Sequence, residues 1–439
     1  MLGFSGSRKW VYAQKVTGRF QRLHRWSGRL LLAWLVVVPW LSYHGQPLIQ
    51  IDVPARRVFA LGAVFTASDG FLMALLGFFA AFTLFFFTSL FGRLWCGYLC
   101  PQTVFLEELI RPIEAFFEGD RGQRMQVDRE PFKAHIAQKF GKWAAFAVVA
   151  FAAAMSFVSW FAGARDLWSF QAGSGYYSIV GFFTLIGFID FAWFREQLCI
   201  YACPYARFQG ALTDDESLVV AYNLKRGEPR GDKKAAKEHG SCIDCKKCVA
   251  ACPQGIDIRQ GFQLECIACG RCIDACEGVM GKLGHPALVQ HATIAEVEGR
   301  KSRIIRPRTI LYASLLTGLA ATILGIIVTH SPIEAHVSRS PGNLYTVDAD
   351  GSVRNTYLLQ LVNRDSDATP DVFTVTLEGL DGELIVPEIV LGPNESRTVP
   401  VVVRTTQNAD RQHALQFRIQ SNQREVVREA TFRTPGAGS

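Results

Sequence analysis

Apolar residues bunched into long runs, a C-x2-C-x2-C-x3-C spacing that occurs twice, and a hydrophobic period that shortens after residue 330 together predict a multi-domain membrane protein. The fold class they define is an α-helical bundle of five transmembrane helices, an inserted dicluster ferredoxin-like domain, and a C-terminal all-β immunoglobulin-like sandwich. At 439 residues the chain has room for several domains, and 49% of it is hydrophobic. The formal charge of +7 comes from basic residues that flank apolar runs, which points to membrane topology rather than nucleic acid.

Residues 1–29 form a basic arm with seven Arg or Lys (Arg8, Lys9, Lys15, Arg19, Arg22, Arg25, Arg29) and no acid. The first expected span, Leu30 to about Tyr43, follows; Trp26, Trp40 and Tyr43 are its interfacial anchors, and no small-x-small cleavage site marks it as a signal peptide. Spans two to four are expected over about Phe71–Phe91, Trp143–Ala162 and Tyr176–Phe194, and a fifth over 310–329. Residues 30–216 therefore make a four-helix membrane domain and residues 217–309 the ferredoxin-like domain. The arm, the 93–142 loop and the 195–309 segment hold 33 Arg or Lys, whereas the two opposite short loops hold 3. That bias puts the N-terminus and the ferredoxin-like domain in the cytoplasm and the tail outside, in the periplasm of a bacterial inner membrane. In 330–439, runs such as NTYLLQLVN, DVFTVTLEGL, ELIVPEIVL and SRTVPVVVRT read as about seven short strands of a sandwich. This tail has no Cys, and its one His beyond the membrane-proximal pair is His413, so it reads as a docking module; the sequon at Asn394 reads as coincidental in a bacterial chain.

All twelve cysteines fall into motifs, and none remains for an extracellular disulfide framework. The run CIDCKKCVAACP, a 12-residue spacer and CIACGRCIDACE make the two-cluster bacterial pattern, in which the fourth cysteine of each run ligates the other [4Fe–4S] cluster. Cys242, Cys245, Cys248 and Cys276 are then one ligand set, and Cys266, Cys269, Cys272 and Cys252 the other. Pro253 follows Cys252 but Glu277 follows Cys276, and Glu277 is expected to be solvated. The other four cysteines form two C-x3-C-P pairs, Cys96/Cys100 before Pro101 and Cys199/Cys203 before Pro204. Both cysteines and the proline recur at an offset of 103 residues, which indicates a duplicated two-span hairpin. At i and i+4 on a helix the two sulfurs of a pair would share one face. Four thiols at the membrane face suit Cu(I), Zn, a further Fe–S cluster or a redox disulfide.

Weaker candidates are His24 and His44, expected to be solvated on opposite faces; Glu107 and Glu108, expected to cap a solvated helix face; and Asp190, an acid near the end of span four for which Arg195 or Arg93 offers a salt bridge.

Together, GRLWCGYLCPQTVF at 92–105, LCIYACPYARFQ at 198–209, the two cysteine runs and the β-rich tail resemble the cytochrome c oxidase accessory protein family CcoG/FixG/RdxA of proteobacteria. The resemblance implies a cupric reductase that converts Cu(II) to Cu(I) for assembly of cbb3-type oxidase. It implies as partners the lipid bilayer, a cytoplasmic electron donor, and the oxidase or its copper chaperones, with no nucleic acid. Ligand softness and position make Cys96, Cys100, Cys199 and Cys203 the expected copper and catalytic site. The C-x3-C-P pairs are also similar to quinol-linked NapH and NosR proteins, and a redox-sensing assembly scaffold is a further alternative.

Overall fold

The structure is a computed structural model that describes residues 10–43, 46–61, 63–65, 69–231, 240–329, 333–363, 371–392, 395–406, 412–421 and 424–435. His44 and Asn394 lie outside the described residues. The chain divides into two compact units, one holding the cysteine motifs and most of the helices up to Ile323, the other beginning at Leu324 and holding the β-rich tail.

Helix α1 spans Arg19–Val37 and continues as a 3-10 turn to Trp40. Its start lies inside the basic arm because protein groups hold that end. The Asp274 carboxylate accepts the backbone N–H of Phe20 (3.2 Å) and Gln21 (2.8 Å), satisfying donors that a helix start leaves open. Four arginines therefore enter the helix, and α1 lacks the apolar length of a span. Among the described residues, four helical segments have that length and apolarity: Gly70–Phe91, Phe132–Ala162, Ser174–Phe194 and Pro307–Val328. The expected first span, Leu30 to about Tyr43, is not among them, whereas the expected fifth, 310–329, is.

Helix α2 (Gly70–Phe91) is apolar all round and largely exposed, as a lipid-facing helix must be. After the cysteine turn come a π-helical turn (Leu106–Ile110) and α3 (Arg111–Glu118). Helices α4 (Ile136–Ala162) and α5 (Ser174–Ile189) pack together through small residues, with Gly187 facing Ala150 and with Met155, Val158 and Val180 in one buried cluster. A π-helical turn, Asp190–Phe194, extends α5, and α6 spans Pro204–Leu212. Strands β1 (Leu218–Tyr222) and β2 (Val289–Thr293) pair antiparallel, Leu218 opposite Thr293, and so tie together the ends of the cysteine-rich segment. Within that segment lies α7 (Arg271–Met280), and α8 (Pro307–Thr329) follows it.

The second unit is a two-sheet sandwich. Its strands are β3 (Ile333–Arg339), β4 (Val353–Asn363), β5 (Asp371–Glu378), β6 (Glu383–Ile385), β7 (Ile389–Leu391), β8 (Ser396–Thr405), β9 (Gln412–Ser421) and β10 (Arg424–Arg433). One sheet has the order β6-β8-β4-β3, with the short strand Thr346–Val347 also on β4; the other has the order β7-β5-β9-β10. Alternate residues of β4 (Tyr357, Leu359, Leu361) meet Phe417, Ile419 and Phe432 from the opposite sheet. The run ELIVPEIVL, expected as one strand, is two. Pro387 cannot donate to a ladder, and the chain changes sheets there, β6 pairing with β8 and β7 with β5. His413 donates from Nε2 to the Gly379 carbonyl at 2.6 Å, a structural contact.

Phe417 is 1% exposed. Phe417→Ala is expected to cost about 3–5 kcal/mol in the sandwich. Protease protection of the segment after Ile323 during urea titration of the full chain would read this, with visible absorbance of the cysteine-rich segment unchanged.

Candidate metal centres

The eight cysteines of the ferredoxin-like runs line two separate cavities. One is bounded by Cys242, Cys245, Cys248 and Cys276, with Tyr222 and Leu288 beside them. The other is bounded by Cys252, Cys266, Cys269 and Cys272, and Cys248 also borders it. The loops that present them contain residues at positive φ, Asp244, Lys246, Ala268 and Gly270, and in the second loop the backbone N–H groups of Ala268 and Arg271 donate to the Cys266 and Cys269 sulfurs. Leu288 N donates to Cys276 Sγ at 3.4 Å. Burial pushes the Cys266 thiol up to about 11 and Cys269 up to about 12, and the neighbouring thiols add to burial at Cys272. Buried thiols of this kind give up their protons when a cation arrives, so metal binding must release protons here. Among the described residues no three His, Cys, Asp or Glu side chains converge at single-ion spacing. One tetrahedral ion would draw its sulfurs to ~3.8 Å from each other, whereas a four-iron cube spreads its thiolates apart. The two cavities fit the larger group. Cys245 is the exposed member of the twelve, while Cys248 and Cys269 are buried.

The two C-x3-C-P segments adopt the same path. Gly92 (φ 56, ψ −132) ends α2, and Arg195, 103 residues on, ends the extension of α5 at φ 53, ψ −124. Cys96 then lies in a short helix, Leu94–Tyr98, and Cys199 in a π-helical turn, Leu198–Ala202. The second cysteine of each pair is extended, with ψ 125 at Cys100 and ψ 112 at Cys203. The expected i, i+4 face is therefore absent. A residue before proline avoids the helical region, and each proline opens the next helix instead of closing the last one.

The repeats clasp each other at equivalent positions. Gln102 donates from Nε2 to the Arg195 carbonyl at 3.2 Å, and Tyr205, again 103 residues on, meets Thr88 Oγ1 at 3.0 Å. This exchange gathers the four thiols, so that Cys199 feels Cys96, Cys100 and Cys203. Burial pushes Cys96 up to about 11 and raises Cys199; at Cys100 burial also raises the thiol, against backbone N–H donors from Thr103 and Gln102. Cys96 donates from Sγ to Gln209 Oε1 at 3.0 Å, and the same oxygen accepts from Arg93 Nε at 3.2 Å.

Cys96 also belongs to one apolar cluster with Ile267 and Cys269. Its neighbour Gly97 makes this possible, since a Cβ there would sit 2.5 Å from the Ile267 carbonyl oxygen and 3.0 Å from Cys269 Cα. Tyr98 donates its hydroxyl to the Cys269 carbonyl at 3.1 Å.

The weaker sequence candidates have other roles. Glu107 and Glu108 do not cap a solvated face but are buried. Glu107 pairs with Arg111 at 3.1 Å and with Arg271, and Glu108 faces Arg29 and His24. His24 is 1% exposed, not solvated, and lies against Tyr98. Glu277 pairs with Arg19 at 2.8 Å on the surface. Neither suggested arginine forms the salt bridge to Asp190. Arg195 donates from Nη2 to Glu114 at 3.0 Å, Arg93 takes Gln209 and the Leu264 carbonyl, and the Gln102 amide meets the Asp190 carboxylate. Gln209, fully buried beside Cys96, carried no spacing signal that could have exposed it.

Three family models match the chain: a 4Fe-4S binding domain at residues 73–118, a 4Fe-4S dicluster domain at 194–294, and the immunoglobulin-like fold found at the C-terminus of FixG at 323–435. Protein RdxB of Cereibacter sphaeroides is 37% identical over 395 residues, 84% of this chain and 83% of that protein. Protein RdxA of the same organism is 34% identical over 81% of this chain and 80% of its own length. Nitrogen fixation protein FixG of Rhizobium meliloti is 31% identical over 98% of this chain and 94% of its own. A crystal structure of a FixG-related protein from Vibrio parahaemolyticus aligns with 24% of this chain and 96% of its own at 20% identity, with a TM-score of 0.21.

Gly97→Ala is expected to push the cysteine turn off the Ile267 carbonyl, cost about 1–3 kcal/mol and lower the thermal midpoint of the visible chromophore. Gly278→Ala, where a Cβ meets nothing within 4 Å, is the control that leaves it unchanged or slightly raised. Burial would raise the Glu114 carboxyl, but Arg195 and Arg124 outweigh it and hold it below the ordinary range. Its stabilising contribution is complete above the unfolded value of ~4.3 and disappears as pH falls through the lower folded one. Glu114→Gln should cost about 3–5 kcal/mol at pH 7 and flatten the acid limb of a stability-against-pH curve.

Proposed function

The chain belongs to the FixG/RdxA family of membrane iron–sulfur proteins, and from that premise we propose that it reduces Cu(II) to Cu(I) for assembly of a cbb3-type cytochrome c oxidase. The observation that carries this reading is the packing of Cys96 against Ile267 and Cys269, which joins the ferredoxin-like segment to the four-thiol site without intervening solvent. We assign Cys242, Cys245, Cys248 and Cys276 to one cluster and Cys266, Cys269, Cys272 and Cys252 to the other, each set around its own cavity. When bound, the two clusters supply single-electron storage and transfer.

The substrate Cu(II) meets Cys96, Cys100, Cys199 and Cys203. Soft sulfur ligands favour Cu(I), so the site stabilises the product of the one-electron step over its substrate. The thiols are gathered without being collapsed onto one point, as suits a passing ion. Because burial favours the protonated forms of Cys96, Cys100 and Cys199, copper must displace protons there, and Gln209 accepts from the Cys96 thiol. Arg93 fixes the orientation of Gln209.

In our reading residues 30–43, the apolar half of α1 with the 3-10 turn and the residues after it, make the remaining crossing. The first turn of α1 is held by Asp274 in the ferredoxin-like segment, whereas its far end reaches α4, where Trp160 donates to the Leu35 carbonyl at 3.1 Å and Trp40 meets Trp168. An odd number of crossings, with the basic-residue bias, places the clusters in the cytoplasm and the sandwich in the periplasm. Exposed Cys245 then faces the cytoplasmic electron donor, and the sandwich is the docking module for the oxidase or its copper chaperones.

Anaerobically reduced protein mixed with Cu(II) should show reoxidation of its visible chromophore with formation of Cu(I). Cys96→Ser and Cys199→Ser should each slow this at least ~10-fold while iron stays at about eight per chain. Unchanged copper reduction in the variant with all four cysteines replaced would overturn the site. Reoxidation by quinone and not by copper would favour the quinol-linked reading, and about twelve irons would make the four thiols a third cluster.

A further inference from the structure

The electron-transfer reading leaves a second feature of the same unit unused. A cavity of about 390 Å3 opens between residues 13–17, α1, α3 and Arg271. Seven Arg or Lys side chains line it against three acids. The acids are already committed: Glu107 to Arg111 and Arg271, Glu108 to Arg29, and Asp120 to the N-terminal cap of the helix Arg121–Arg129. Among the described residues, Nε–H of Arg271 and Nη1 of Arg111 find no hydrogen-bond acceptor, while Arg124 pairs with Glu114 at 2.7 Å and turns its Nε toward Glu118 at 3.9 Å. Arg124 and Arg271 are each 6% exposed. A buried guanidinium donor without an acceptor is costly, and the charge surplus specifies what would satisfy it, an anion with several oxygens.

The place of the cavity narrows the source of that anion. Arg25 and Arg29 line it and also form a neighbouring cleft with Trp26. Trp26 is 74% exposed, and the apolar half of α1 begins one residue after Arg29, at Leu30. On the other side α3 presents Phe116, 83% exposed. Guanidinium groups beside an exposed indole, at the level where a polar surface gives way to an apolar one, form the environment of a phospholipid headgroup. We propose that this cavity binds a phosphate group, supplied by an anionic phospholipid whose acyl chains lie along the apolar half of α1. The site adjoins the cysteine-rich segment directly. Arg271 stands between Cys269 and Cys272, and Arg111 donates from Nη2 to the Pro253 carbonyl at 3.0 Å, next to Cys252. A bound phosphate would therefore brace both ends of the loop that carries those cysteines. The inference stands independently of copper chemistry.

The test uses the full-length protein in nanodiscs of phosphatidylcholine with increasing phosphatidylglycerol, read by thermal shift and by native mass spectrometry of retained lipid. Parallel samples in detergent receive inorganic phosphate or pyrophosphate. Phosphatidylglycerol should be retained and should raise the midpoint in a salt-sensitive manner. The double variant Arg25→Gln/Arg29→Gln should bind it about 25-fold more weakly, about fivefold per arginine, with iron content unchanged. If the double variant loses iron, Arg29→Gln alone, with its expected fivefold loss, decides. Equal retention of phosphatidylcholine, or variants that bind phosphatidylglycerol as the parent does, would overturn the proposal. Protection by phosphate or pyrophosphate without any effect of phosphatidylglycerol would overturn the lipid source and assign the cavity to a soluble phosphate compound.

Discussion

Two backbones meet where Gly97 lies against the Ile267 carbonyl, and the arrangement of the cysteines depends on that approach. Any side chain at residue 97 would hold the segments apart by its own width. Because there is none, Cys96 and Cys269 share one apolar cluster, and the Tyr98 hydroxyl locks the register by donating to the Cys269 carbonyl. The contact is dry and short, which are the properties a one-electron path requires. It also fixes the direction of the assembly, with exposed Cys245 at one end and the clasped repeats at the other.

Around this contact, beside the apolar cluster that includes Ile258, Ile273, Met280 and Leu288, the unit carries a network of buried charge. Arg271 and Arg111 share Glu107, while Arg195 and Arg124 share Glu114. Ion pairs with so little exposure gain little net stability over apolar packing, since desolvation offsets their attraction. Losing one partner, however, is expensive. The network therefore acts as a set of positional constraints that join α1, α3, α5 and α7, elements far apart in sequence.

The features legible in the sequence were those written in spacing. The C-x2-C-x2-C-x3-C runs announced the two cysteine quartets, and the 103-residue offset announced the hairpin repeat, because both depend on local chain geometry. What the sequence concealed was whatever depends on a distant partner. Glu107 reads as a surface acid until Arg271, 164 residues away, is brought to it. Four arginines in α1 read as a solvated arm, yet several have acidic or cavity-lining places in the fold. His24 looks interfacial, and only the packed Tyr98 and Glu108 bury it. The break between Cys96 and Cys100 was in principle readable, since proline constrains the residue before it. In the sandwich, Pro387 divides one apparent strand for the same reason.

The turn that precedes each cysteine pair is the same in both repeats, yet glycine occupies it at residue 92 and arginine at residue 195. Glycine adopts that conformation freely; for arginine it costs roughly 1–3 kcal/mol, tolerated where the surroundings over-determine it. The ion pair with Glu114 is what over-determines it here. The two halves are thus no longer interchangeable copies. At residue 92 the turn is closed by a backbone approach, since a Cβ there would sit 2.7 Å from the Leu218 carbonyl oxygen; at residue 195 it is closed by a charged side chain paired with Glu114. One turn is thus specified by opposite means in the two halves: by the absence of a side chain at Gly92 and by the pairing of one at Arg195.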